Sequence, residues 1–153
     1  IRMSDNCLDL PRSPNSLKAD FFNLTTHEIA HRLDSLLFAG AKSRLYADAS
    51  DWQYSGSKEW MELSGWYRDY VIDPVTGKAT NTYYIRSDLS RESFVRDYAK
   101  TTPGEDFADT AANFRFEPEH TLRVSPRKSE ILSKKVWSGR KFDFHGANFG
   151  NNF

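Results

Sequence analysis

The chain has 153 residues, enough for one domain that hides roughly two-thirds of its unfolded surface and too few for two ordinary domains. Its 21 basic and 21 acidic side chains cancel, so no net field draws it to nucleic acid or to an anionic membrane, and no run of about 18 apolar residues reads as a membrane span. The single cysteine, Cys7, excludes an internal disulfide and a cysteine-rich metal site, so any metal must be held by histidine and carboxylate.

The chain starts with Ile1 rather than Met and shows no signal-peptide pattern, so it is expected to be a processed product or an excised domain of something longer. The cysteine count does not fix the compartment; a secreted or periplasmic setting is expected ahead of a cytoplasmic one. Residues 1–16 hold a short apolar alternation at Ile1 and Met3, then Leu8, Leu10, Pro11 and Pro14, which reads as an edge strand and a turn-rich approach. Around Ser16 to Asp20 the pattern turns helical. Phe21, Phe22, Leu24, Ile29, Leu33, Leu36, Leu37 and Phe38 predict an apolar band with the histidines beside it, on a helix buried over much of its circumference and closed by Gly40.

That helix carries Thr25-Thr26-His27-Glu28-Ile29-Ala30-His31-Arg32-Leu33-Asp34. His27 and His31 lie one turn apart on one face, so both imidazoles can bind a single zinc while Glu28 beside them reaches a water on it. This is the HExxH arrangement of a zincin. Zinc acidifies water and polarises a scissile carbonyl, and the carboxylate takes the proton and later delivers it to the leaving amine. The competing reading is an ordinary amphipathic helix that carries two histidines. A metzincin is excluded, because its third histidine belongs six residues after His31, where Leu37 stands.

Residues 42–97 are rich in aromatics: Tyr46, Trp52, Tyr54, Trp60, Trp66, Tyr67, Tyr70, Tyr83 and Tyr84, punctuated by Gly56, Gly65 and Gly77. Trp66 to Ile72, the turn Asp73 to Lys78 and Ala79 to Ile85 predict a β-hairpin. The rings are either a wall that grips substrate over a cleft or a small satellite core packed on itself. Thr102 as N-cap, Pro103 at the first helical position and Glu105 three residues after the cap then mark the start of a second helix, running to about Phe116. A carboxylate there can complete a zinc site that has two histidines. Glu105 is the expected third ligand, with Asp109 one turn on, behind a ligand histidine and orienting it through the other ring nitrogen. A capping-box role competes for the same Glu105 carboxylate. Asp34, seven residues after His27, is the rival ligand, expected instead to pair with an arginine or a histidine's outer nitrogen.

Taken together, His27-Glu28-Ile29-Ala30-His31-Arg32-Leu33-Asp34 and Tyr98-Ala99-Lys100-Thr101-Thr102-Pro103-Gly104-Glu105-Asp106-Phe107-Ala108-Asp109 resemble the two-part signature of gluzincin peptidases related to the anthrax lethal factor protease domain and the Mlc titration factor peptidases. The resemblance covers about a fifth of the chain. It implies a zincin-like fold, Glu105 as third zinc ligand, Glu28 as general base and Tyr98 as a phenol that donates a hydrogen bond to the oxyanion. Asp109 stands where relatives often have Glu. Zincins also place several strands before the active-site helix, and only 26 residues precede His27 here; either the 66–85 hairpin completes a reduced sheet or those strands belong to a part of the protein outside this chain.

Pro126 predicts a last helix with Ile131, Leu132, Val136 and Trp137 as its apolar stripe and Lys134 and Lys135 in its last turn, packed against the Glu105 helix. His120 and His145 read as surface or packing residues, and Lys141 to Phe153 as a flexible tail. The expectation is one mainly helical α+β domain over 1–153. It binds one Zn2+ through His27, His31 and Glu105 and hydrolyses a peptide bond in a peptide or protein substrate, with no nucleic-acid or membrane partner. The alternative is a non-catalytic zincin-like metal-binding or interaction module of a toxin, an effector or a larger protein.

Overall fold

The structure, a computed structural model, describes residues 14–39 and 53–138. The predicted strand within residues 1–13, Gly40 and the tail from Lys141 lie outside these residues, as do Tyr46, Trp52 and His145. A long helix, α1 (Pro14–Ala39), is followed by a 3-10 turn (Tyr54–Gly56), α2 (Lys58–Ser64), the strands β1 (Trp66–Ile72) and β2 (Ala79–Ile85), and a second 3-10 turn (Asp97–Lys100). Then come α3 (Pro103–Phe116), α4 (Pro118–Val124) and α5 (Pro126–Ile131), the last continued by a π-helical turn (Leu132–Val136). The described residues thus form a mainly helical α+β arrangement with one two-stranded antiparallel sheet. No described helix is long and apolar enough to cross a membrane.

The hairpin has the predicted bounds, with Trp66 opposite Ile85 and Ile72 opposite Ala79. Asp73 builds its turn: its Oδ1 accepts from the N–H groups of Val75 and Thr76 at 2.7 and 3.1 Å, and Gly77 supplies the positive φ of 65°. The start of α3 is also as read, since Thr102 in extended conformation accepts from the Glu105 N–H at 3.1 Å with Pro103 in the first turn. Two short helices were not anticipated. α2 is opened by Ser57, whose hydroxyl accepts from the Trp60 N–H, and closed by Gly65 at φ 70°; a side chain at Gly65 would meet Arg86 O at 2.4 Å. α4 opens on Pro118.

The core is made by Ala30 of α1, Tyr54, Trp60, Leu63, then Phe107, Ala108 and Ala111 of α3, and Ile131 and Leu132. Small side chains at Ala30, Ala108 and Ala111 let α1 and α3 lie close together, and the predicted packing of the last helix on α3 is present through Ile131 and Leu132. Most described rings serve this packing: Tyr54, Trp60 and Phe107 contact one another at centroid distances of 5.0–6.3 Å, and Trp66 sits edge-on to Tyr83 and Phe94. Tyr67 and Tyr84 are exposed on the hairpin.

A polar cluster lies inside this core. Asp106 accepts from the indoles of Trp60 and Trp66 at 3.1 and 3.2 Å, from the Ser64 hydroxyl at 2.6 Å, and from Lys128 Nζ at 2.8 and 3.0 Å. Both charged side chains are fully buried, and Lys128 Nζ also lies 5.2 and 4.9 Å from the ring centroids of Trp60 and Phe94.

The orientation of α1 corrects the sequence reading. Phe21, Phe22, Leu24, Ile29 and Leu36, expected in a buried band, are exposed, while Thr26, His27, Ala30 and Asp34 are buried and Leu33 and Leu37 are half-buried. The Phe38 side chain lies outside the described residues. The buried positions keep the helical period, but polar residues occupy much of it because each has a partner across the interface. Thr26 Oγ1 accepts from Arg115 at 3.2 Å, and His27 faces Asp109. Among the described residues Asp34 meets neither an arginine nor a histidine's outer nitrogen: it accepts the Ser55 N–H at 2.7 Å and the Ser55 hydroxyl at 2.6 Å.

Burial pushes the Asp34 carboxyl from 3.8 up to about 6, against the pull of the Ser55 donors. The folded chain therefore holds this proton more tightly than the unfolded chain. Stability from this group is full below about pH 4 and falls as pH rises to about 6, by about 3 kcal/mol across the window. Urea unfolding of wild type and Asp34→Asn at intervals from pH 4 to 7 should show the difference between them shifting in the variant's favour as pH rises, and a pH-independent difference would refute the assignment.

Candidate metal centre

The packing of α1 on α3 decides what His27 and His31 meet. Their Nε2 atoms are 3.1 Å apart, and Glu105 Oε2 lies 3.0 Å from the first and 3.5 Å from the second. Ligands at about 2.0–2.1 Å around a tetrahedral zinc stand about 3.3 Å from one another, a value these three separations bracket. His27, His31 and Glu105 are the three-residue group among the described residues that could hold a metal ion, and Asp34 is not part of it.

The donor chemistry also fits a cation. Asp109 Oδ1 lies 2.8 Å from His27 Nδ1, a contact that falls short of regular hydrogen-bond geometry but favours the proton on this nitrogen and leaves the Nε2 lone pair toward the cluster. Glu105 Oε2 is buried and takes no hydrogen bond from the described residues. A lone pair and an anionic oxygen 3.0 Å apart repel unless a proton or a metal ion lies between them. Of the two roles that compete for the Glu105 carboxylate, the structure shows the one at the histidines; the Thr102 cap takes the Glu105 backbone N–H.

Asp109 is buried and shared. Arg96 Nε donates to its Oδ2 at 2.6 Å, and a terminal nitrogen of the same guanidinium donates to Oδ1. Although desolvation raises the Asp109 carboxyl, the hydrogen bonds from His27 and Arg96 outweigh it and hold it below its ordinary value. For His27 desolvation lowers the pKa, but the Asp109 hydrogen bond and the Asp109 and Glu105 charges leave it raised.

Tyr98 and Glu28 are both exposed. The Tyr98 ring is 6.1 Å from the His27 ring, centroid to centroid, and half-exposed; partial burial and then the Glu105 and Asp109 charges raise its pKa, so the phenol keeps its proton at neutral pH. Glu28 is exposed, next to His27, and its charge is felt at the Tyr98 phenol. His120 lies away from the cluster, with Nε2 3.3 Å from Val95 O, in keeping with a packing role. The sequence reading missed Arg96. It sits 13 residues before Asp109, outside any helix that would give the two a shared face, so only the fold reveals the pair.

A metal ion must displace the proton that His27 holds above its ordinary range, so metal affinity should weaken as pH falls through that raised value and binding should release protons. Zinc titration between pH 5.5 and 8 is expected to give one ion per chain with affinity rising with pH, and His31→Ala should lose it; tight binding by the variant would remove His31 from the ligand set. The chain matches no protein-family model, no curated protein and no solved structure.

Proposed function

We propose that this chain is a zinc-dependent metallopeptidase with a zincin-like fold, as its resemblance to the gluzincin signature implies. The observation that carries the reading is the convergence of His27, His31 and Glu105 from two helices on one point, with Glu28 next to His27 in the chain and the Tyr98 ring 6.1 Å from the His27 ring. His27, His31 and Glu105 would hold the ion, three protein ligands being the complement that leaves a coordination position for reaction. Zinc, when bound, supplies an acidified water and a Lewis acid for the scissile carbonyl.

The chain's own residues do the rest. Glu28 accepts the water's proton and returns it to the leaving amine, which an exposed carboxylate next to a ligand histidine is placed to do. Tyr98 donates its phenolic hydrogen to the carbonyl oxygen as negative charge builds there. Asp109 holds the His27 ring so that Nε2 faces the cluster.

A second reading, a metal-binding interaction module, is favoured by one observation: the exposed apolar side chains Phe21, Phe22, Leu24, Ile29 and Leu36 on α1. Chemistry separates the two. Zinc-loaded protein incubated with a complex peptide library, with new termini read by mass spectrometry, should show cleavage; zinc binding without cleavage would transfer the proposal to the module. On a cleaved peptide, Glu28→Gln should retain zinc and lose at least about 10²-fold in turnover. Tyr98→Phe should retain zinc, melting temperature and KM while kcat falls roughly 10- to 10³-fold, and an unchanged kcat would strike Tyr98 from the site.

A further inference from the structure

We propose that Arg96 is a positioning residue that ties the ligand side of the centre to its phenol. The proposal rests on the metal-dependent reading above but concerns a residue that the HExxH and Glu105 motifs do not include. One guanidinium makes two kinds of contact. Its edge donates to both oxygens of Asp109, and its Cζ lies over the Tyr98 ring, 5.7 Å from the centroid.

The edge contact fixes the plane of a carboxylate. The Asp109 side chain is fully buried and must direct Oδ1 at His27 Nδ1, 2.8 Å away; a single donor would leave it free to rotate about its Cβ–Cγ bond. Two parallel N–H donors from a rigid fork remove that freedom. The His27 ring and its Nε2 then inherit the orientation. The Arg96 side chain is about half exposed (53 %), while the Asp109 side chain that it holds is fully buried.

The face contact concerns Tyr98. Its ring is 52 % exposed, so packing confines it only in part, and its ring contacts among the described residues are Arg96 and His27. Arg96 is extended, at φ −159° and ψ 171°, and immediately precedes the 3-10 turn that carries Tyr98, so its side chain folds back beside the ring. A movement of the guanidinium therefore disturbs the ligand histidine and the phenol together. Lysine keeps the charge but lacks both the fork and the flat face.

The test is zinc affinity by chelator competition, the visible absorption of cobalt-loaded protein, and the kcat and KM of a cleaved peptide, in wild type, Arg96→Met, Arg96→Lys, Asp109→Asn and the double variant Arg96→Met/Asp109→Asn. Arg96→Met should weaken zinc binding about 10-fold or more and shift the cobalt bands, while adding little once Asp109 is already Asn. Arg96→Lys should show the same defects in smaller degree, with any loss of turnover in kcat rather than KM. Wild-type affinity and unchanged cobalt bands in Arg96→Met overturn the proposal, even if its melting temperature falls. Should that variant fail to fold, Arg96→Lys decides alone: wild-type affinity and bands overturn the role, weakened affinity supports it. A wild-type chain that binds zinc yet cleaves nothing refutes the peptidase reading and leaves the Arg96 role to be judged by affinity and spectrum.

Discussion

The rest of the structure depends on the buried ion pair between Asp106 and Lys128. Two charges removed from water cost several kcal/mol each unless their hydrogen-bonding capacity is met, and here Asp106 receives two indole N–H groups, a hydroxyl and the ammonium. These donors come from α2, the start of β1 and α5, so one carboxylate on α3 sets the position of three neighbouring elements. The Lys128 end is fixed in turn by Glu92, which accepts the backbone N–H groups of Arg127 and Lys128 at 2.5 and 3.0 Å in the first turn of α5. A shift of any partner would leave a buried charge unpaired, which is why such a cluster specifies one arrangement where an apolar core tolerates several.

That constraint reaches the candidate metal centre through α3. Asp106 faces the core while Glu105 and Asp109, on either side of it in sequence, face α1, so anchoring Asp106 sets the rotation of α3 about its axis. α1 is held to the same frame at several points: Ala30 against the alanines of α3, Thr26 to Arg115, and Asp34 to Ser55. The two histidines are thus carried by a helix whose buried face is polar and paired rather than greasy. Rotating α1 about its axis to bury Phe21, Ile29 and Leu36 would carry Asp34 and His27 into solvent and leave the buried Ser55 and Asp109 without these partners, a cost set against the apolar gain of about 1.5–3 kcal/mol per side chain.

Much of this was legible in the residues. The hairpin followed from strand-forming runs around an Asp-Pro-x-x-Gly turn, and α3 from a Thr-Pro-x-Glu start, because turn and cap chemistry is settled by a few neighbouring residues. The spacing of His27 and His31 needed only the helical repeat. A capping box and a candidate metal site both claimed the Glu105 carboxylate, and the fold turns it to the histidines while the Thr102 hydroxyl takes the Glu105 amide. α2 and α4 escaped notice although Ser57, Gly65 and Pro118 are capping signals, since short helices give too few turns for periodicity to register.

The sequence by itself determined what is local: which segments coil or extend, where they begin, and which two histidines share a helical face, all of which depend on interactions within about four residues. Tertiary structure alone decided which face of α1 is buried, because apolar periodicity measures the cost of leaving a side chain in water but not the gain from a buried polar partner 21 residues away in Ser55, or further still in Asp109 and Arg115. It alone decided that Asp34 pairs with Ser55 of the first 3-10 turn and stays outside the candidate metal cluster, and that Arg96 stands behind Asp109 and beside Tyr98. Such pairings exist only once chain entropy has been overcome and distant segments meet, and no local pattern records them.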